Sequence, residues 1–408
     1  MAFHPFETRL QPMPIPTPFH SRTSQYCESH EWREWAGYLV ASTYEHSHER
    51  EYFAIRNAVA LIDVSPLYKY EISGPDSTRL VNRIITRDVT RCVVGQMYYT
   101  TWCDDDGKVI DDGTVARLGE YKYRITAAES NLAWFQDCGF GMDVSISDVS
   151  EDLAVLAVQG PFARHTLHRV IQGIDWDTFR YYHIAHGTLE DSPIWVSRTG
   201  YTGDLGYELW ISPGAAPRLW DIVMEAGAGY GISPAGMIAL DIARIEAGLL
   251  MLQVDYISSR KALIQSQKSS PFELGLGWTV DLQKSQFVGR EALVKESQFG
   301  SLWSIVGLEI DWRSLEEEYR RVDLVPQVVG RASRVAIPVY LDKRHIGQAT
   351  SQVFSPILKK YIAIASLENH FASEGKKVNV EITVEHVRRF AQAKVVKLPF
   401  FNPGRKKA

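Results

Sequence analysis

The run Ser197 to Ile211, SRTGYTGDLGYELWI, gathers three glycines, two tyrosines and two carboxylates into a short turn between strand-like segments. Gly200, Gly203 and Gly206 permit positive φ and the close approach of a flat ligand, and Tyr201 and Tyr207 offer ring faces and hydroxyls. Asp204 lies in the turn itself and is expected to be solvated. Glu208 opens the apolar stretch Glu208-Leu209-Trp210-Ile211, where an acid needs a donor from the protein or from a ligand. Such a turn suits recognition of a planar, hydrogen-bonding molecule; the alternative is a β-hairpin with an incidental acid. A second acidic pair, Asp111-Asp112, follows the turn Asp104-Asp105-Asp106-Gly107, and by itself reads as an ordinary acidic turn beside a hairpin. His46 and His48 do not share a helix face, and His165 and His168 have no carboxylate or cysteine nearby to complete a ligand set, so no metal site is read.

These residues need strands and helices to hold them. Tyr44 to Ala60 reads as a charged helix with His46, His48, Glu49 and Glu51 on a solvated face. From Tyr68 to Ile146 strand-like segments alternate with a helix over Asp76 to Ile85, the Gly107 turn joins two strands, and Asn131 to Cys138 is a short helix. Leu153 to Val158 is a strand ended by Gly160-Pro161, after which Phe162 to Ile171 is helical. Ala216 to Ala226 and Met237 to Leu250 are the next helices. Gly227, Gly229 and Gly231 end a helix where a dinucleotide fingerprint would open one. Beyond Gln283, strands at Ile305 to Ile310, Ala336 to Leu341, Gly347 to Val353, Val378 to Val384 and Ala391 to Leu398 predict an antiparallel barrel, with Arg313 to Arg321 a surface helix or loop. The expected domains are an extended arm over 1–43 carrying Pro12, Pro14, Pro16 and Pro18, an α+β core of two intertwined subdomains over 44–283, and the barrel over 284–408.

The stretch from Arg198 to Glu208 is similar to the signature of the folate-binding aminomethyltransferase family, the glycine cleavage T-protein and its relatives. Six further segments flank it in the family's order between about Glu45 and Pro399. They are Ile62-Asp63-Val64-Ser65; Val109-Ile110-Asp111-Asp112; Ala157-Val158-Gln159-Gly160-Pro161; Arg244-Ile245-Glu246-Ala247-Gly248; Pro271-Phe272-Glu273 with Gly275-Leu276-Gly277-Trp278-Thr279; and Phe287-Val288-Gly289-Arg290-Glu291. The resemblance implies an α+β, three-domain cloverleaf around a channel for tetrahydrofolate, completed by the C-terminal antiparallel β-barrel. It implies that Glu208 accepts hydrogen bonds from the pterin, that Tyr201 and Tyr99 line the cofactor, and that Asp112 is the catalytic acid. Asp112 would orient the donor and stabilise positive charge on the one-carbon unit.

The implied activity moves an aminomethyl-derived or N-methyl carbon from a small-molecule donor to tetrahydrofolate, and glycine cleavage itself would add a lipoyl carrier protein as partner. Departures bear on the donor. Leu240 stands where the T-protein helix has arginine, and Pro66-Leu67 replaces His-Met on a wall of the donor pocket. Thr126-Ala127-Ala128-Glu129 and Tyr98-Tyr99 resemble the folate-dependent dimethylsulfoniopropionate demethylases. An S- or O-demethylase forming 5-methyltetrahydrofolate is therefore the alternative, and a non-catalytic folate-binding protein the third, although the Lys-Gly-Cys-Tyr type of motif of such relatives is not found.

At 408 residues and 45% hydrophobic content the chain has material for two or three cores. A net charge of -5 and a pI near 6.2 argue against nucleic acid as partner, and the basic Arg405-Lys406-Lys407 segment reads as a solvated terminus. No apolar run is long enough to cross a bilayer and no secretory pattern opens the chain, so no membrane partner and cytoplasmic residence are expected. Cys27, Cys92, Cys103 and Cys138 are read as reduced thiols.

Overall fold

The computed structural model describes residues 13–327 and 330–407. Pro12 and the start of the expected arm lie outside the described residues. The remainder of that segment is folded rather than an extended arm: Ile15–Pro16 (β1), helix His20–Tyr26 (α1), Trp32–Trp35 (β2) and Tyr38–Ala41 (β3) form a small sheet in the order β1-β3-β2 with a helix beside it. Phe19 is fully buried against Trp220, and Arg22 Nε holds Asp221 Oδ1 at 2.7 Å, so apolar burial and an ion pair dock the segment on the body.

The helix expected over 44–60 is confined to Glu49–Asn57 (α2), because the chain turns extended at the apolar run Val59–Asp63 (β4), which is buried throughout. Glu51 does not face solvent. Its Oε1 accepts from Tyr44 N at 2.7 Å, Glu45 N at 3.0 Å and Thr43 Oγ1 at 2.6 Å, and its Oε2 from Gly236 N at 2.7 Å. A buried carboxylate surrounded by donors fixes four positions of the chain at once.

After β4 the chain leaves its sheet to build a second. Tyr68–Ser73 (β5), helix Ser77–Ile84 (α3), Met97–Cys103 (β6), Val109–Gly119 (β7), Lys122–Ala127 (β8), helix Leu132–Cys138 (α4) and Ser145–Asp148 (β9) give a five-stranded sheet in the order β6-β7-β8-β5-β9. It returns with Ala154–Gln159 (β10), helix Ala163–Leu167 (α5), Ile171–Gln172 (β11), Ile184–Leu189 (β12), Ser192–Ser197 (β13), Gly206–Ile211 (β14), helix Ala216–Gly227 (α6) and Ile232–Pro234 (β15). This completes a seven-stranded sheet, β11-β12-β13-β14-β10-β4-β15. The helix expected to reach Ile171 stops at Leu167, and Ile171 pairs with Leu189 instead.

Helix Met237–Glu246 (α7) has every residue buried. A helix apolar on most sides is packed on most sides, and its few charges must be paired. Glu246 accepts from Tyr52 Oη at 2.6 Å, Arg56 Nη2 at 2.6 Å and Ser355 Oγ at 2.5 Å. Arg244 reaches Asp241 Oδ1 at 2.8 Å, Asp255 Oδ2 at 2.5 Å and Ser351 Oγ at 2.8 Å. The helix expected to run to Leu250 ends at Glu246 because Gly248 takes φ +62°, while Gly248 N and Leu249 N bond the carbonyls of Ile245 and Arg244, both at 2.9 Å. This left-handed cap turns Leu249 to Leu252 out of the helix axis.

Helix Arg290–Phe299 (α8) leads into Trp303–Ile310 (β16), helix Trp312–Arg320 (α9), Ile337–Leu341 (β17), Arg344–Ser355 (β18), Lys360–Glu368 (β19), Lys377–Val384 (β20) and Val387–Val396 (β21). The strands close into an antiparallel barrel, β16-β19-β18-β17-β20-β21, in which β19 is a strand not expected from the sequence. No helix among the described residues is long and apolar enough to cross a membrane, and all four cysteines are buried and unpaired.

Candidate active site

A cavity of about 700 Å³ lies between the two sheets, α7 and the loop after it, within the about 300–1,000 Å³ span of small-molecule sites. Asp112, Tyr99, Tyr201 and Glu208, named from the sequence, all line it.

Asp112 and Tyr99 come from the β6–β7 hairpin, where Thr101 stands opposite Asp112. Side chains alternate across a strand, so neighbouring Asp111 points away from the cavity. There Asp111 Oδ2 accepts from Asn131 Nδ2 at 2.9 Å and Glu129 N at 3.3 Å, and burial holds its carboxyl well above the usual carboxylate range. Asp112 Oδ2 accepts from Tyr99 Oη at 2.7 Å, and Oδ1 accepts from the hydroxyl of Tyr256. Burial raises the Asp112 pKa, and the two tyrosine hydrogen bonds pull it back down. Nothing in the sequence marks Tyr256: a lone tyrosine in an irregular segment has no period and no motif around it. Tyr99 also lies against Trp278, with ring centroids 5.9 Å apart.

Glu208 sits on β14 opposite Ser197 of β13 and Ala157 of β10, in the middle of the larger sheet. Its Oε2 accepts from Thr199 Oγ1 at 2.7 Å and Ser197 Oγ at 3.3 Å, while Oε1 makes no bond among the described residues and is open to the cavity. Burial raises its pKa against the pull of those two hydroxyls. Tyr207, one residue earlier, faces the other side of the sheet and is buried against Trp176 and Phe179, so it offers no ring to the cavity.

The turn 198–205 differs from its expected form in three respects. Only Gly203 of its glycines has positive φ, at +73°. Gly200 and Gly206 instead make room for Gln159: a Cβ on either would lie 2.1 Å from Gln159 Oε1. Gln159 ties the turn together, donating to the carbonyls of Thr199 and Tyr207 at 3.3 Å each and accepting from Thr202 Oγ1 at 2.8 Å. Asp204 is buried rather than solvated, because Arg405 binds it through Nε at 2.7 Å and Nη2 at 2.8 Å and Arg56 lies 3.5 Å away. The Arg405-Lys406-Lys407 segment is correspondingly docked, with Lys406 Nζ 5.6 Å from the Tyr181 ring centroid. Tyr201 lines the cavity with its hydroxyl donated to the carbonyl of Leu250.

Leu67 and Leu240 add apolar wall. A second cavity, about 730 Å³, shares Tyr99, Tyr182, Leu249 and Leu250 with the first and carries Lys397, Lys406 and Lys407 on its lining.

Residues 19–284 match the family model described as the GCVT N-terminal domain, and residues 320–402 match the glycine cleavage T-protein C-terminal barrel domain. The chain belongs to the glycine cleavage T-protein family. It is 32% identical over 354 residues to an aminomethyltransferase of Halothermothrix orenii, covering 86% of this chain and 90% of that protein. It is 34% identical over 418 residues to a trimethylamine-oxide aldolase of Ruegeria pomeroyi, covering 99% of this chain and 49% of that protein, so it spans about half of that relative. The crystal structure of aminomethyltransferase T of the glycine cleavage system from Bartonella henselae shares the fold, with a TM-score of 0.80 at 21% identity over 95% of this chain and 98% of that one. Membership of the T-protein family makes this chain a transferase of a family that in general depends on tetrahydrofolate, and it bears out the resemblance, the α+β three-domain architecture and the terminal barrel.

Proposed function

We propose that this chain moves a one-carbon unit from a small aminomethyl or N-methyl donor to tetrahydrofolate held in the central cavity. The observation that carries the reading is that two half-buried acids from different sheets face one space, and that each has its own hydrogen-bond environment. The cavity fits the cofactor on the chemistry of its donors and acceptors. Glu208 Oε1 is an open acceptor on a rigid strand, suited to the N–H edge of a pterin.

When bound, tetrahydrofolate supplies the nitrogen nucleophiles that accept the carbon. The residues of the chain do the rest. Glu208 binds and orients the ring, and Tyr201 packs beside it with a hydroxyl already committed to Leu250, leaving its ring as the contacting surface. Asp112 holds negative charge where a cationic donor would sit, in surroundings that weaken competing solvation. Tyr99 and Tyr256 clamp both of its oxygens and so fix the direction of that charge.

A second reading, methyl transfer giving 5-methyltetrahydrofolate, draws support from one observation. Leu240 and Leu67 make apolar wall where the family pattern carries arginine and His-Met, which suits a small methylated cation better than a carrier-borne arm. Incubation with tetrahydrofolate and candidate donors separates the two. Methylene product from an aminomethyl donor, whose carbon is already at the oxidation level of formaldehyde and leaves ammonia behind, supports the first reading. An intact methyl group, with no oxidant supplied, gives only methyl product and supports the second. If tetrahydrofolate leaves the melting temperature unchanged, both fail.

A further inference from the structure

Most cations of the central cavity are matched by acids, and one is not. Arg244 is shared between Asp241 and Asp255, and Lys261 holds Glu129 at 2.7 Å. Arg334, from the loop before β17, bonds Asp241 Oδ2 through Nε at 2.7 Å. Arg33, on the β2–β3 hairpin, is half-buried and bonds only a hydroxyl, Ser42 Oγ, through Nε at 2.9 Å. Among the described residues no carboxylate lies within ion-pair distance of Arg33. Both arginines are thus anchored at Nε, and among the described residues neither makes a hydrogen bond through its paired Nη nitrogens. Both line the same cavity; burial above all, and then the nearby Arg334, lower the pKa of Arg33 against the opposing pull of Asp241 and Glu31. Asp241 and Asp255 set two negative charges against the three guanidinium groups of Arg33, Arg244 and Arg334, which leaves one positive charge without a partner, and the Nη pair of a guanidinium matches a carboxylate.

We propose that Arg33 and Arg334 form a carboxylate-binding subsite of the central cavity, which selects one-carbon donors that bear a carboxylate, N-methyl amino acids being the simplest class; their methyl group passes intact to a folate nitrogen as the C–N bond breaks, the demethylated amino acid leaves and the folate nitrogen gives its proton to solvent. This rests on the proposed function for what the donor does, but not for what the arginines bind. It places positive charge on the N-terminal hairpin and the barrel loop, in a cavity where α7 offers Leu240. The glutamyl tail of a folate carries the same chemistry. The second cavity answers for that tail, since it continues past Tyr99, Tyr182, Leu249 and Leu250 and presents Lys406 and Lys407.

The test is a calorimetric titration of the full chain, with and without tetrahydrofolate, using sarcosine, N,N-dimethylglycine and, as the analogue without a carboxylate, N,N-dimethylethanolamine. The expected result is binding of the carboxylates at least about tenfold tighter than the ethanolamine. Arg33→Gln should weaken them about 10- to 100-fold while changing the tetrahydrofolate affinity less than about twofold, and Arg33→Lys should restore part of the loss. Arg33→Lys carries the comparison alone if Arg33→Gln does not fold. Absence of binding by every carboxylate, or equal binding of the ethanolamine, overturns the subsite. So does a loss of tetrahydrofolate affinity in Arg33→Gln that tetrahydropteroate, which lacks the glutamate, does not show, because it assigns the arginines to the folate tail. A wild-type chain that binds dimethylglycine through Arg33 but not tetrahydrofolate keeps the subsite and removes the folate reading.

Discussion

Tyr256 donates its hydroxyl to Asp112 Oδ1 across 144 residues of sequence, while Tyr99, on the strand paired with that of Asp112, takes the other oxygen. A carboxylate gripped on both oxygens cannot rotate, and its charge points one way. The loop carrying Tyr256 is held in turn by Asp255, which accepts from Arg244 of α7 and from Thr350 and Ser351 of the barrel at 2.6 Å each. The barrel thereby reaches the acid through a chain of polar contacts.

Tyr256→Phe removes one donor and leaves Asp112 half-buried in the cavity wall. Hydrogen bonds to charged groups contribute about 1.5–3 kcal/mol, so kcat is expected to fall about 10- to 100-fold. The sign of the pH effect follows from the cause. Burial raises the Asp112 pKa and the tyrosines lower it, so loss of Tyr256 raises it further and moves the acid limb of the pH–rate profile to higher pH. A limb that stays in place, or moves down, would contradict ionised Asp112 as the working form. Asp112→Asn should abolish the limb.

Glu208→Gln keeps the size of the side chain but loses the charge that a pterin edge is proposed to meet. Tetrahydrofolate affinity should drop about 10- to 100-fold by calorimetry, with little change in the melting temperature of the free protein. Unchanged affinity would place the ring elsewhere in the cavity.

The sequence shows Asp112 and Glu208 because each sits in a local pattern: a glycine turn before an apolar strand for Glu208, and an acidic pair on a hairpin for Asp112. It hides the partners that set their behaviour. Tyr256 is 144 residues from Asp112 and Arg405 is 201 from Asp204, distances that no local period spans. Asp204 looks solvated because a turn acid ordinarily is, and only tertiary contact with Arg405 buries it. The strand Lys360–Glu368 escapes a periodicity reading for another reason: flanked by strands on both sides within the barrel, it is apolar without strict alternation. The sequence pattern carries α7 too far because Leu249-Leu250-Met251-Leu252 continues the apolar character of the helix, whereas Gly248 decides the backbone.

Arg405→Ala leaves Asp204 buried with Arg56 at 3.5 Å as its remaining ion-pair partner and the N–H of Leu205 as a donor at 2.8 Å. Arg405 is itself partly exposed, so the loss is expected at about 1–3 kcal/mol, below that of a fully buried pair. A lower melting temperature and a faster proteolytic loss of the residues after 400 are the measurements. An unchanged melt would mean that the docked tail contributes nothing to holding the turn.

Gln159 and Gly206 compete for one volume, which makes a double-mutant cycle informative. Gly206→Ala alone forces its Cβ into the Gln159 amide, breaking the bonds to Thr199, Thr202 and Tyr207 that hold the turn, and is expected to destabilise the protein by about 2–4 kcal/mol. Gln159→Ala alone loses the same bonds but frees the space. The two changes should therefore combine to less than their sum, with an interaction of about 1–3 kcal/mol in denaturant melts. Additive losses would mean that Gly206 is required for its own backbone, which its ordinary φ argues against, and that Gln159 does not organise the turn carrying Tyr201 and leading to Glu208.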